Sequence, residues 1–175
     1  MNRTTLDLRA FVREIPDFPS PGILFRDITP LLASPEAFQE AVAAMAEPFR
    51  GAPPEKVLGI EARGFMFGAA LARELGVGFV PVRKPGKLPR ETLRVSYGLE
   101  YGTDSLEIHI DACRSGERVL IADDVLATGG TAVAAGELVD RLGAEVAGMT
   151  FFIELEELKG RSRLGSRRLH SVLLL

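Results

Sequence analysis

The sequence predicts one α/β domain with a mostly parallel central sheet flanked by helices. Apolar runs of four to eight residues, the length of buried strands, alternate with segments of helical periodicity. Strands that are apolar on both faces and alternate with helices are typical of parallel sheets. The 175 residues, 46% hydrophobic and 26% charged, suit one globular domain with a sizeable core.

The N-terminal part predicts short elements separated by prolines. Apolar side chains at near-helical spacing indicate an amphipathic helix over residues 4–14, which Pro16 ends. The run GILF, residues 22–25, predicts a short strand. A longer helix follows, because Ser34 is a suitable N-cap and Pro35 suits the first helical position.

Two strand–helix–strand units form the rest of the predicted core. The first unit has strands at 57–60 and 77–82 around a helix at 63–76, and the second has strands at 118–122 and 146–153 around a helix at 130–142. The last apolar run of the chain, SVLLL, predicts a further strand at the sheet edge. Ligands of such sheets bind beyond the carboxyl ends of the strands.

The segment between the two units, residues 84–109, has a different character. It contains turn residues and two alternating apolar–polar runs, TLRVSY and SLEIHI. Such runs predict a hairpin, here a flexible flap inserted into the α/β core.

Composition excludes several classes of protein. The formal net charge of −3 gives no indication of a nucleic-acid partner. No apolar run reaches the roughly 18 residues of a membrane span. The N-terminus lacks the apolar core of a signal peptide, and a single cysteine, Cys113, excludes an internal disulfide. We therefore expect a cytoplasmic protein.

The stretch RVLIADDVLATGGT, residues 118–131, says most about function. An apolar strand leads into two carboxylates, Asp123 and Asp124, and a glycine-containing turn then opens a helix. Such a helix N-terminus offers unpaired N–H groups and a favourable dipole to an anion. The natural complement of adjacent carboxylates is a pair of vicinal hydroxyls or a hydrated metal. The stretch therefore predicts a sugar phosphate as ligand.

Basic residues cluster twice. The cluster at residues 159–168 indicates an exposed helix and loop without a ligand. The other cluster follows the strand at 77–82, near the edge where Arg63 is expected, and suits either a solvated loop or a clamp for a polyanion such as pyrophosphate. Its members are Arg83, Lys84, Lys87, Arg90 and Arg94.

The motif ADDVLATGGT resembles the binding motif for 5-phosphoribosyl 1-diphosphate (PRPP) of type I phosphoribosyltransferases. Five further stretches are similar to the adenine phosphoribosyltransferases, so the resemblance runs from about Ile15 to Arg161. It implies an N-terminal hood over residues 1–34 and a flexible loop over residues 84–109. The stretches are PDFPSPGILFRDITPLL, EARGFMFGAALA, VRKPGKLP, SYGLEYG and FIELEELKGR.

The resemblance implies a purine salvage enzyme that converts adenine and PRPP into AMP and pyrophosphate. It also implies a homodimer, and Mg²⁺ that arrives on the diphosphate and water without a direct protein ligand. Oxopurine phosphoribosyltransferases usually carry an aspartate just before the Thr-Gly of the motif, where this chain has Ala127. A xanthine or orotate phosphoribosyltransferase, or a PRPP-sensing regulator of the same fold, remains as an alternative.

Roles for single residues also follow from the resemblance. Asp123 and Asp124 are expected to face the ribose hydroxyls and the magnesium-bound diphosphate. Phe25 is expected to stack on adenine, Arg26 to bind it through the main chain, and Glu100 and Tyr101 to lie on the closing loop. The catalytic residues are then Glu100 and Arg63. The 5′-phosphate is assigned to Ala127, Thr128, Gly129, Gly130 and Thr131, and the pyrophosphate to Arg63, Arg83, Lys84 and Lys87.

Overall fold

Strands and helices alternate along the chain in the computed structural model, which describes residues 6–99 and 102–175. The α-helices are α1 (Thr29–Ala33), α2 (Pro35–Ala46), α3 (Gly64–Leu75) and α4 (Gly130–Arg141). The strands are β1 (Arg13–Pro16), β2 (Leu24–Asp27), β3 (Lys56–Ile60), β4 (Gly78–Val82), β5 (Thr92–Leu99), β6 (Gly102–His109), β7 (Arg118–Leu126), β8 (Glu145–Glu154) and β9 (Leu169–Leu174).

The central sheet confirms the predicted parallel architecture. Its five strands lie in the order β4-β3-β7-β8-β9, and every neighbouring pair is parallel. Strand β9, from the run SVLLL, is the predicted edge strand. The segment between the two units is the predicted hairpin, in which β5 and β6 pair antiparallel.

Alternate residues of each central strand enter one of two apolar layers. Val57, Leu120 and Phe152 pack with α2 and α3 on one face of the sheet. Leu58 and Ile121 pack with α4 and the β5–β6 hairpin on the other face. The hairpin is therefore part of a core layer, and its base has a fixed position beside α4.

The N-terminal prediction of a helix over residues 4–14 is wrong for most of its length. Among the described residues of this range, 6–14, only Leu8–Phe11 are helical, as a short 3₁₀ helix, and Arg13–Pro16 become strand β1. Strand β1 pairs antiparallel with β2, so that Ile15 lies opposite Phe25. A residue before proline is disfavoured in the α conformation, which explains why Ile15 is extended.

Strand β7 is longer than predicted, and this changes the position of the two acids. The predicted strand ends at residue 122, whereas β7 continues to Leu126 because Val125 pairs with Ile153 of β8. Asp123 and Asp124 are therefore residues of a strand and not of the turn that follows it. Neighbouring strand residues point to opposite faces, so the two carboxylates have different surroundings.

The predicted start of α2 is confirmed. The Ser34 hydroxyl accepts a hydrogen bond from the Ala37 N–H at 3.2 Å, and Pro35 is the first helical residue. Among the described residues, no helix combines the length and the apolar character needed to cross a bilayer.

We expect Phe67→Ala to lower the free energy of unfolding by about 3–5 kcal/mol, the cost of a large cavity in a packed core. Phe67 of α3 is fully buried, and its ring stacks on Phe152 with centroids 5.6 Å apart. Urea denaturation followed by circular dichroism measures the change. Arg73→Ala, an exposed position on the same helix, is the control and should stay within about 0.5 kcal/mol of the wild type. Equal unfolding midpoints for the two variants would contradict this packing.

Candidate active site

The cradle, as we call residues Ala127 to Thr131, joins the end of β7 to the start of α4. None of its backbone N–H groups donates a hydrogen bond to another group within residues 6–99 and 102–175. A cavity of about 60 Å³ opens onto the cradle and onto Asp123. Free N–H groups at a helix N-terminus bind anions, so the predicted phosphate site has the required geometry.

Gly129 is the cradle residue with the strictest steric requirement. Its φ of +82° lies in the left-handed region that favours glycine. A Cβ atom at this position would also lie 2.7 Å from the carbonyl oxygen of Gly160. At Gly130 the nearest atom to a Cβ would be at the edge of the Tyr97 ring, at 3.2 Å, and the Gly98 carbonyl oxygen would lie at an ordinary 3.5 Å.

Asp123 lines the cavity and is electrostatically unfavourable there. Loss of water around its carboxylate raises its pKa well above the ordinary range, and the charge of Asp124 raises it further. The Asp124 N–H, which donates to Asp123 Oδ1 at 2.9 Å, offsets only part of this effect. Gly64 leaves the space for this carboxylate, since a Cβ atom there would overlap Asp123 Oδ1. Hydroxyl donors or a cation from a ligand would stabilise the ionised form.

Arg63 connects Asp124 to the N-terminal strands. Its Nε lies 2.6 Å from Oδ2 of Asp124, a residue that is 6% exposed. Its Nη1 donates to the carbonyl oxygen of Arg26 at 3.4 Å, and its guanidinium lies 4.9 Å from the centre of the Phe25 ring. The two predicted base-binding residues and one of the predicted acids, Asp124, therefore meet at one guanidinium.

Three of the five predicted clamp residues surround a carboxylate, Glu61, whereas Arg90 pairs with Asp111 and Arg94 with Glu107. Glu61 accepts hydrogen bonds from Arg83 Nε at 3.3 Å, from the Lys84 backbone N–H at 2.9 Å and from Lys87 Nζ. Burial alone would raise the pKa of Glu61, but these donors, Lys87 first, lower it to about 2. Glu61 is thus an anion at any physiological pH. Glu61 has no role among the sequence predictions, although it immediately follows β3, at the same sheet edge as Arg83 after β4.

The Lys84 side chain turns to the hairpin instead. Its Nζ pairs with the Asp104 carboxylate and donates to the Tyr97 hydroxyl at 3.1 Å. The same hydroxyl donates to Asp104 at 3.1 Å and lies 3.5 Å from Thr131 Oγ1. Lys84, Tyr97 and Asp104 therefore link the clamp, the hairpin and the cradle.

Two further predictions concern residues around the cradle. The basic segment 159–168 is largely exposed, as expected, and two of its residues, Gly160 and Arg163, contact the cradle. A sequence pattern does not reveal which loop packs on another. Glu100 and Tyr101 lie outside the described residues, and their roles remain predictions.

A family profile described as "Phosphoribosyl transferase domain" matches residues 27–169. The adenine phosphoribosyltransferase of Carboxydothermus hydrogenoformans is 58% identical over 167 residues, which are 95% of this chain and 98% of the relative. The chain therefore belongs to the phosphoribosyltransferase family, and within it to the adenine phosphoribosyltransferases.

Solved structures show the same similarity. The crystal structure of the adenine phosphoribosyltransferase from Rhodothermus marinus matches with a TM-score of 0.92 and 56% identity, over 96% of either chain. The enzyme from Saccharomyces cerevisiae, crystallised with an imino-altritol bisphosphate and adenine, matches with a TM-score of 0.89 and 45% identity, over 95% of this chain and 96% of the other.

We expect Gly129→Ala to weaken PRPP binding more than Gly130→Ala does. The alanine at 129 meets both an unfavourable φ and the Gly160 carbonyl, so the cradle must distort. Isothermal titration with PRPP and magnesium gives the affinities. Gly116→Ala is the control, because Gly116 has a similar φ of +78° with open space around it. A Gly129→Ala variant that binds PRPP like this control would contradict the cradle assignment.

Asp123→Asn and Asp124→Asn should each lower turnover by about ten- to a hundredfold, the cost of losing a charged hydrogen bond to a ligand. The two substitutions should have different effects on the melting temperature. A carboxyl whose pKa is raised by folding destabilises the folded state once ionised, so Asp123→Asn should keep or raise the melting temperature at pH 7. Asp124→Asn breaks the ion pair with Arg63 and should lower the melting temperature. Thermal unfolding and steady-state assays measure both effects; a drop in the Asp123→Asn melting temperature would be the contrary result.

Proposed function

We propose that the protein transfers the 5-phosphoribosyl group of PRPP to adenine and releases AMP and pyrophosphate. The observation that carries this proposal is the Arg63 guanidinium, which joins the Phe25–Arg26 segment to Asp124 beside the cradle. A base-binding strand and a sugar-phosphate site are thereby held next to each other. The adenine in the related yeast structure supports the same choice of base.

Each part of the substrates has a complementary group in this site. The cradle N–H groups suit the 5′-phosphate, and Asp123 and Asp124 suit the ribose hydroxyls. The cations Arg83 and Lys87 around Glu61, with Lys84 beside them, suit the diphosphate. Phe25 offers an aromatic face to the adenine ring, and Arg26 its main chain.

The reaction forms a bond from N9 of adenine to C1′ of the ribose and breaks the bond from C1′ to the diphosphate oxygen. The bonding electrons leave with pyrophosphate, so negative charge accumulates on the leaving group. Cations fixed near that position stabilise the transition state. Adenine loses its N9 proton, and we assign the acceptance of that proton to Glu100 on the flap, with Tyr101 beside it.

We propose Mg²⁺ as the cofactor, brought in by the diphosphate. The donor set fits this ion, because Asp123 and Asp124 offer only carboxylate oxygens, the ligand type that magnesium prefers. These side chains would hold it through water and the ribose hydroxyls, and the bound ion would neutralise diphosphate charge.

We further propose a cytoplasmic homodimer without a nucleic-acid or membrane partner. The edge strand β4 carries Phe79, which is 37% exposed, and the helix packed on it carries Met66, which is 39% exposed. These apolar side chains suit a contact with a second copy of the chain. The single thiol, Cys113, is buried and unpaired, as is usual in a reducing compartment.

The test is a kinetic comparison of adenine, hypoxanthine, guanine, xanthine and orotate, each with PRPP and magnesium. We expect AMP formation from adenine, with a specificity constant about 10⁴-fold above that for hypoxanthine, because a site built for an amino group leaves a mispaired partner beside a carbonyl. Comparable constants for adenine and hypoxanthine would overturn the choice of base. PRPP binding without turnover of any base would instead favour a PRPP-sensing regulator. Turnover of xanthine or orotate would favour a phosphoribosyltransferase for that base.

A further inference from the structure

The cradle is supported from outside by a second chain segment, the 3₁₀ helix Gly160–Leu164, which we call the brace. The two backbones touch without intervening side chains. A Cβ atom at Gly160 would overlap the carbonyl oxygen of Ala127, and one at Gly129 would lie 2.7 Å from the carbonyl oxygen of Gly160. Glycine at both positions is what allows this approach.

One side chain of the brace bonds to the cradle. Nη1 of Arg163 donates to the carbonyl oxygen of Thr128 at 3.2 Å. The C=O and N–H of a trans peptide point in opposite directions. With the Thr128 carbonyl held by Arg163, the N–H of Gly129 in the same peptide points away from that guanidinium. This N–H has no acceptor among the described residues, so it is available to an anion.

The brace is itself anchored to the sheet and the core. Arg161 donates to Glu154, a residue at the end of β8 that is 4% exposed, and Ser171 of β9 donates to the same carboxylate at 2.6 Å. Leu164, at the other end of the brace, is 5% exposed and packs in the apolar layer that contains α4. Arg163 therefore extends from a fixed support.

We infer that Arg163 is a positioning residue for the 5′-phosphate, acting through the Thr128–Gly129 peptide. This inference rests on the proposed function, since it assumes that the cradle binds the phosphate of PRPP. It adds a determinant of phosphate affinity that lies outside the contiguous motif. Adenine binding should not depend on it, because Arg163 contacts the cradle and not the Phe25–Arg63 region.

The experiment compares Arg163→Ala, Arg163→Lys and Gly160→Ala with the wild type. Arg163→Ala should raise the KM for PRPP and the Kd for ribose 5-phosphate by about tenfold to a hundredfold, the effect of losing one hydrogen bond to a charged group. The KM for adenine and the kcat at saturation should stay at wild-type values. Arg163→Lys, which keeps a donor, should recover most of the loss. Gly160→Ala should reproduce the loss without any change of charge.

Arg167→Ala is the matched control. It removes the same charge from the same region, but Arg167 pairs with Asp140 of α4, so phosphate affinity should not change. The inference is overturned if Arg163→Ala binds ribose 5-phosphate normally, or if it raises the KM values for adenine and PRPP equally, as a general loss of structure would.

Calorimetry with ribose 5-phosphate separates this inference from the proposed function. A wild type that binds this probe but forms no AMP refutes the proposed reaction, while the comparison of variants still tests Arg163. A wild type that does not bind the probe refutes both.

Discussion

The Arg63 guanidinium is the interaction on which the rest of the site depends. It neutralises Asp124, a nearly buried carboxylate whose Oδ2 lies 2.6 Å from Arg63 Nε and has no other partner within the described residues. A buried charge without a partner is strongly destabilising, so this ion pair is a condition for placing two acids in strand β7. The same guanidinium bonds to the Arg26 carbonyl and covers the Phe25 ring. One side chain thus sets the distance between the N-terminal strands and the sugar-phosphate site.

The fold was predictable where the local pattern of apolar, polar and capping residues is enough to define an element. The strands of the sheet core are short apolar runs, and Ser34 and Pro35 mark the start of α2 as expected. Two errors have one cause. The acids interrupt the apolar run of β7, so its continuation to Leu126 depends on a partner strand, β8. The segment Arg13–Pro16 likewise becomes a strand because β2 lies beside it. Pairing between distant segments is not encoded in the local spacing of apolar residues.

The residues of the site likewise include some that the sequence predicts and some that it does not. The cradle and the two acids are contiguous, so one motif predicts them together. Glu61, Asp104 and Arg163 act on residues far from them along the chain, and each looks like an ordinary surface charge in the sequence. Glu61 pairs with Arg83 and Lys87 of the clamp, and Asp104 pairs with Lys84. Arg163 donates a hydrogen bond to the cradle. A basic cluster in the sequence indicates charge, but not which carboxylate or carbonyl the charge contacts.

The pairing of the clamp cations has a consequence for the end of the catalytic cycle. Arg83 and Lys87 already share Glu61, and Lys84 already has Asp104. In the proposed reaction, an entering diphosphate would displace protein carboxylates from these cations, and the carboxylates would remain close by. The free energy gained is then the difference between two sets of ion pairs, which is much smaller than the attraction of three unpaired cations. In the proposed reaction, Glu61 and Asp104 would pair with these cations again once the bond to C1′ is broken, which would favour the release of pyrophosphate.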